Sequence, residues 1–280
     1  MTEILLSVVK ESLQVSLLVL FMMTLVDIIN VWTRGKLTSI LHSSSSWKQY
    51  IVTSVISSVP GCVGAFAGVS LYVHGMVSFG AVAGGMLATS GDEAFVMLAM
   101  FPKTAILLFA ILAVIGIFSG KLIDYAVKKL NIKTYIDCEV PQYHVRHEGY
   151  KHYLKEHVWN HIIKHHLWKI FLWTFGALLL LSFGFSHFDL HKLTSEYTLL
   201  ILIASALVGL IPESGPHLIF VTMFSQGLIP FSVLLTSSMV QDGHGLLPML
   251  SYSLHDSIYI KLFNLALGLS IGLTLFALGF

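Results

Sequence analysis

The sequence predicts an all-α polytopic membrane protein made of two structural repeats, inverted relative to each other, with broken or re-entrant helices meeting at the midplane. Three observations predict this. Of the 280 residues, 55% are hydrophobic and only 11% charged, with mean hydropathy +0.80, whereas a soluble domain is about a quarter charged. A constant, ungapped shift of 152 positions pairs Pro60 with Pro212, Gly75 with Gly227, Phe79 with Phe231, Gly91 with Gly243, Gly116 with Gly268 and Gly120 with Gly272. Each copy also places helix breakers and acids inside apolar sequence, where both are costly.

The apolar start, Ile4 to Leu20, carries Glu3, Lys10 and Glu11 and reads as the approach to a spanning helix over residues 12–33, not as a cleaved signal peptide. Asp27 near its end reads as an interfacial acid. The loop 34–48 holds Arg34, Lys36 and Lys48 and no acid, so it is expected to be cytoplasmic. Apolar stretches 50–59, 63–74, 76–89 and 94–101 are each short for a crossing and are cut at Pro60-Gly61, His74-Gly75 and Ser90–Glu93. A long helix over 104–129 follows, with Gly116 and Gly120 as a small face for close packing. These elements make residues 1–130 the first transmembrane repeat.

Residues 131–166 form a His-rich linker. Lys121 to Lys169 holds nine Lys/Arg against five Asp/Glu, so the linker is expected to be cytoplasmic. Residues 167–280 form the second repeat, opening with a span over 167–186. Its loop 187–197 is not basic, unlike its counterpart 34–48, and that asymmetry is the argument for inversion. Parallel repeats remain the alternative. Gly/Pro-interrupted segments at corresponding places in two halves are the sequence mark of a transporter's binding site.

Chemistry-bearing residues gather at the breaks. The first copy offers Cys62, Thr89, Ser90, Asp92 and Glu93; the second offers Glu213, Ser214, His217, Gln241, Asp242 and His244. Asp92, Glu93, Asp242, His244, Glu213 and His217 are the candidate metal ligands, with Ser90, Thr89, Gln241, Ser214 and Cys62 beside the pathway. Oxygen donors with a little imidazole suit a hard divalent cation such as Mn²⁺, with Zn²⁺ or Fe²⁺ as alternatives, and suit Cu(I) badly. Neither Lys nor Arg occurs within 49–102 or 193–260, so the missing positive charge would come from metal or protons. The plainer reading has Asp92 and Asp242 capping the half-helices that follow them. Lys261 is expected to pair with Asp256, with a role as internal counter-charge in the empty state as the alternative. Asn264 is read as a packing hydrogen bond. In the linker, His157, His161 and His165 recur every four residues and could hold a metal, although Trp159, Trp168, Lys164 and Lys169 among them favour an interfacial amphipathic helix.

Pro212-Glu-Ser-Gly-Pro-His, Ser90-Gly-Asp-Glu-Ala-Phe and Gln241-Asp-Gly-His-Gly-Leu-Leu-Pro248 resemble the family named putative manganese transporter, also labelled ten-helix putative heavy-metal exporter and arsenic efflux protein. The resemblance covers most of the chain apart from the His-rich linker. It implies about ten membrane segments and export of a metal or metalloid. It does not decide between manganese and arsenic; the scarcity of thiols near the breaks speaks against trivalent arsenic.

The expectation is a secondary active exporter of a divalent metal, Mn²⁺ first, working by alternating access in a prokaryotic plasma membrane. Its partners would be the lipid bilayer, the metal ion and a coupling H⁺ or other ion, with no organic cofactor and no nucleic acid; a homo-oligomer is compatible. The alternative is a carrier of an organic or metalloid anion coupled to a cation gradient. An enzyme is not expected, since neither a His-Glu-x-x-His motif nor a nucleophile elbow occurs.

Overall fold

The computed structural model describes residues 46–73, 77–134, 196–212, 215–246, 249–250 and 253–280, with scattered positions within 5–17 and 171–179. Asp27, Glu213, Ser214, the expected spans 12–33 and 167–186 and the histidine stripe lie outside the described residues, or almost wholly so.

The protein is an all-α polytopic membrane protein. Its described helices are α1 Ser46–Ser57, α2 Val63–Val73, α3 Phe79–Ala88, α4 Glu93–Met100 and α5 Pro102–Lys129 in the first half. The second half has α6 Thr198–Val208, α7 Leu218–Ser225, α8 Phe231–Val240 and α9 Leu254–Ala277. Tight 3₁₀ turns cover Gly215–His217 and Gly243–Gly245. Boundaries recur in the 152 register: α3 and α8 coincide at both ends, and α5 and α9 begin at Pro102 and Leu254. The long helix starts at Pro102 rather than 104, because proline is well placed in a first helical turn. Helix α1 begins at Ser46, inside the expected loop 34–48. Trp47 explains this: its ring packs edge-on against Phe118 of α5, and Lys121 lies 4.6 Å above it.

The breaks have local causes. Pro60 offers no backbone N–H to continue α1. Gly91 and Gly243 sit at φ +55° and +50°, in the left-handed region where other residues are strained. Both mark the same point of the repeat, where the chain leaves one half-helix and starts another.

Only α5 and α9 are long and apolar enough to cross a membrane unaided, among the described residues. The outer faces of α5 (Ile106, Leu107, Val114, Phe118, Leu122) and α6 (Leu199, Leu200, Ile203, Leu207) are exposed and apolar. Acyl chains would cover such faces; water would not. Inside, Phe95, Leu108, Leu112, Leu234 and Met239 join the two halves in one apolar cluster.

Small residues set the helix spacing. A Cβ on Gly116 would lie 2.5 Å from the Gly84 carbonyl oxygen and 2.9 Å from Ala88 Cβ, so α5 packs backbone-to-backbone on α3. In the second half a Cβ on Gly268, the counterpart of Gly116, would lie 2.6 Å from Val240 Cγ2 of α8. The predicted small faces therefore pack as expected.

Asp124, near the end of α5, ties this half together. Its Oδ2 accepts from Tyr50 Oη of α1 at 2.7 Å and from Ser78 Oγ at 2.5 Å, and its Oδ1 accepts from Gly80 N at 2.6 Å. Ser78 is also the N-cap of α3, so the carboxylate lies at the positive end of that helix.

Candidate polar site at the helix breaks

The breaks of the two halves meet. Gln241 Nε2 donates to the Thr89 carbonyl at 3.3 Å, and these two residues are exact partners in the 152 register. Within the first half, Gly61 N donates to Gly91 O at 3.1 Å, and Cys62 Sγ donates to Asp92 Oδ1 at 3.3 Å. The stretch at Pro60 and the stretch at Ser90 are thus one local unit. Gly245 lies against Ala65 of α2, where an added Cβ would come within 2.6 Å of the alanine methyl.

Nearly all of this polar material is buried. Thr89, Ser90, Asp92, Glu93, His217, Gln241, Asp242 and Asn264 all lack solvent exposure of any consequence. Several of their atoms also lack a hydrogen-bond partner: Ser90 Oγ, Glu93 Oε2, His217 Nε2, Gln241 Oε1 and Asn264 Oδ1. His217 Nδ1 is held 3.3 Å from Ser237 Oγ, which leaves the other ring nitrogen as the unpartnered one. Buried polar atoms without partners are uncommon in finished cores. At the two helix breaks these atoms leave hydrogen-bonding capacity unfilled.

Asp242 has two partners. Asn264 Nδ2 donates to its Oδ1 at 2.9 Å, and Lys261 Nζ lies 2.8 Å from its Oδ2 as an ion pair. The expected pairing of Lys261 with Asp256 is not what the structure shows. Asp256 instead accepts from Tyr72 Oη at 2.7 Å and faces His255 Nδ1 at 3.2 Å. Asp256 and Lys261 are five residues apart, roughly 1.4 helical turns, so they lie on different faces of α9: Lys261 turns toward the end of α8, and Tyr72 of α2 takes the acid. The alternative expectation, Lys261 as an internal counter-charge, matches the observed contact. Asn264 makes the hydrogen bond expected of it.

Side-chain capping does not account for the two aspartates. Asp92 stands at the N-cap of α4 with helical backbone angles and makes no capping hydrogen bond. Asp242 spends its carboxylate on Asn264 and Lys261. Sequence reasoning missed Ser237 as the partner of His217 and Tyr72 as the partner of Asp256. The spacings between partners, 20 and 184 residues, leave no local signal for either.

Of the predicted ligands, Asp92 and Glu93 are adjacent at the start of α4, Asp242 lies across the junction of the breaks, and His217 stands just before α7. His244 falls in the turn Gly243–Gly245. Among the described residues no group of three or more His, Cys, Asp or Glu is gathered so as to hold a metal ion.

Comparison with known proteins bears on the fold and the class of function. No curated protein and no solved structure matched the chain. A family model does match, over residues 1–184 and again over 173–278, and so over nearly the whole sequence. The chain therefore belongs to the family described as "Putative, 10TM heavy-metal exporter", a family of integral membrane transporters.

Proposed function

We propose that the protein is a secondary active exporter of a divalent metal cation, Mn²⁺ first, working by alternating access around the junction of the two breaks. The observation that carries this reading is the buried Glu93 carboxyl, with Oε2 unpartnered, beside Asp92 and with no Lys or Arg nearby in sequence. An acid in that position calls for a cation or a proton. His217 Nε2 is a second unpartnered ligand atom, in the turn leading into α7, a helix that packs against α4. In the 152 register Glu93 and His217 are the counterparts of Gly245 and Ala65, which touch. Glu93 and Asp92 supply carboxylate oxygens, His217 and His244 imidazole nitrogen, and Ser90 and Gln241 neutral oxygens. These groups are spread over both halves, so a movement of the halves assembles or disperses the site, which is what alternating access requires. The inverted relation of the repeats is part of the proposal; it is supported by the meeting of the α3 and α8 C-terminal ends at Thr89 and Gln241. An ion or proton gradient drives the cycle in a prokaryotic plasma membrane.

Isothermal titration of Mn²⁺ into the purified protein tests the assignment. Asp92→Asn/Glu93→Gln is expected to lose Mn²⁺ binding by at least tenfold; unchanged affinity would sink it. In a second reading an organic or metalloid anion is carried and carboxylates hold a coupling cation. Proteoliposomes challenged with Mn²⁺ and with a panel of organic anions, arsenite and arsenate separate the two.

A further inference from the structure

Three oxygens converge on the Lys261 ammonium. The carbonyl oxygens of Gly209 and Val240 accept from Nζ at 2.8 and 3.2 Å, and Asp242 Oδ2 lies 2.8 Å away. Gly209 is the C-cap of α6, and Val240 is the last residue of α8. Carbonyls at helix ends lack intrahelical donors, and each helix C-terminus carries about half a negative charge. Two such ends and a carboxylate thus face one point in the protein interior. Asn264 orients the carboxylate through Oδ1 and keeps its own buried Oδ1 unpartnered. An all-oxygen set of this kind, from half-helix ends and an acid, is how membrane carriers hold Na⁺.

The first half lacks the three side chains of this set. Gly209, Val240, Asp242, Lys261 and Asn264 correspond there to Ser57, Ala88, Ser90, Phe109 and Leu112. Acid, ammonium and amide are absent together, as the parts of one unit would be.

We infer that Gly209 O, Val240 O and Asp242 form a monovalent-cation site of the Na⁺ class, filled by the chain's own Lys261 ammonium in place of a free ion. The inference rests on the reading of the chain as a gradient-driven carrier and adds to it a resident, tethered counter-ion. Lys261 holds the ends of α6 and α8 together as a bound ion would, so the wild-type protein needs no Na⁺ for this.

Lys261→Ala opens the cradle to solution. The test measures thermal unfolding of the full-length protein in detergent, in NaCl and in choline chloride of equal ionic strength, together with binding of radioactive Na⁺. Lys261→Ala is expected to melt lower than wild type in choline and to regain stability saturably with Na⁺, binding a single ion. Wild type is expected to show neither response. Asp242→Asn/Lys261→Ala is expected to lose the Na⁺ response. If Lys261→Ala does not fold, Lys261→Gln, which keeps a long side chain and lacks the charge, carries the same comparison. A folded variant indifferent to Na⁺, or a Na⁺ response that survives Asp242→Asn, overturns the inference. Mn²⁺ titration of wild type beside these samples keeps the two proposals apart: no Mn²⁺ binding by wild type, with an intact Na⁺ response in Lys261→Ala, counts against the metal reading alone.

Discussion

The two halves break their helices at the same positions and fill the breaks with different chemistry. Residues 88–93 in the first half hold hydroxyls and two adjacent acids, with Asp92 meeting Cys62. Residues 240–245 in the second half hold an amide, one acid and one imidazole, and that acid is already neutralised by Lys261. Backbone breaks depend on Gly and Pro, and these coincide in the two copies. Side chains at the breaks are free of that constraint and have diverged. The lesson is that a duplicated scaffold can keep its geometry while one copy becomes a charge-compensated support and the other keeps a buried carboxyl oxygen, Glu93 Oε2, without a hydrogen-bond partner.

Substitutions at matched positions sharpen or break this comparison. The largest expected effect is Asp242→Ala, which strands a buried ammonium; loss of one member of a buried pair costs about 3–5 kcal/mol. Thermal or denaturant unfolding should show it, and a cost below about 1 kcal/mol would mean that Lys261 finds equal partners elsewhere. Next comes Gly116→Ala, whose methyl meets the Gly84 carbonyl and Ala88. Overpacking against backbone costs about 1–3 kcal/mol. Gly268→Ala, its counterpart, meets a side chain, Val240, and should cost less; the reverse order would contradict the backbone contact between α3 and α5. Tyr50→Phe removes one of three donors to Asp124 and should lower stability by about 1–2 kcal/mol, read by the same unfolding measurement. Ser90→Ala, the counterpart of Asp242→Ala, is expected to change stability least. Its hydroxyl is buried without a partner, so its removal should fall within about 1 kcal/mol of neutral. A large loss would show that Ser90 holds structure in the empty protein.

Much of this architecture was legible in the sequence because it rests on residues whose effect is local. Pro60, Gly91 and Gly243 break helices wherever they occur, so helix ends followed from them. Gly116 and Gly120 announced close packing because an absent side chain allows it in any context. The shared register suggested that the two breaks come together, but not that Gln241 bonds to Thr89. Partnerships of charged groups were less legible. Lys261 and Asp256 are near in sequence and on one helix, and that proximity suggested a pair. The actual partners depend on which way α9 faces between α2 and α8, which the sequence does not encode locally. Asp124 drew no attention for the same reason: its three donors come from positions 44 to 74 residues away.

Asp124 has a consequence for motion. One carboxylate bonds to α1, to the cap of α3 and to the backbone of α3, while itself belonging to α5. Those three helices can turn only as a single body unless charged hydrogen bonds break. The counterparts of Tyr50, Ser78 and Asp124 are Leu202, Pro230 and Phe276, where Leu202, Ile229 and Val233 form an apolar cluster that Phe276 packs against. Apolar surfaces slide without a change in hydrogen bonding, whereas the carboxylate clasp does not. Each half is thus clasped at one end only: Asp124 ties α1, α3 and α5 at the end where the second half has an apolar contact, and Lys261 ties α6, α8 and α9 at the opposite end, beside the break, so a transport cycle would bend the two halves at different ends.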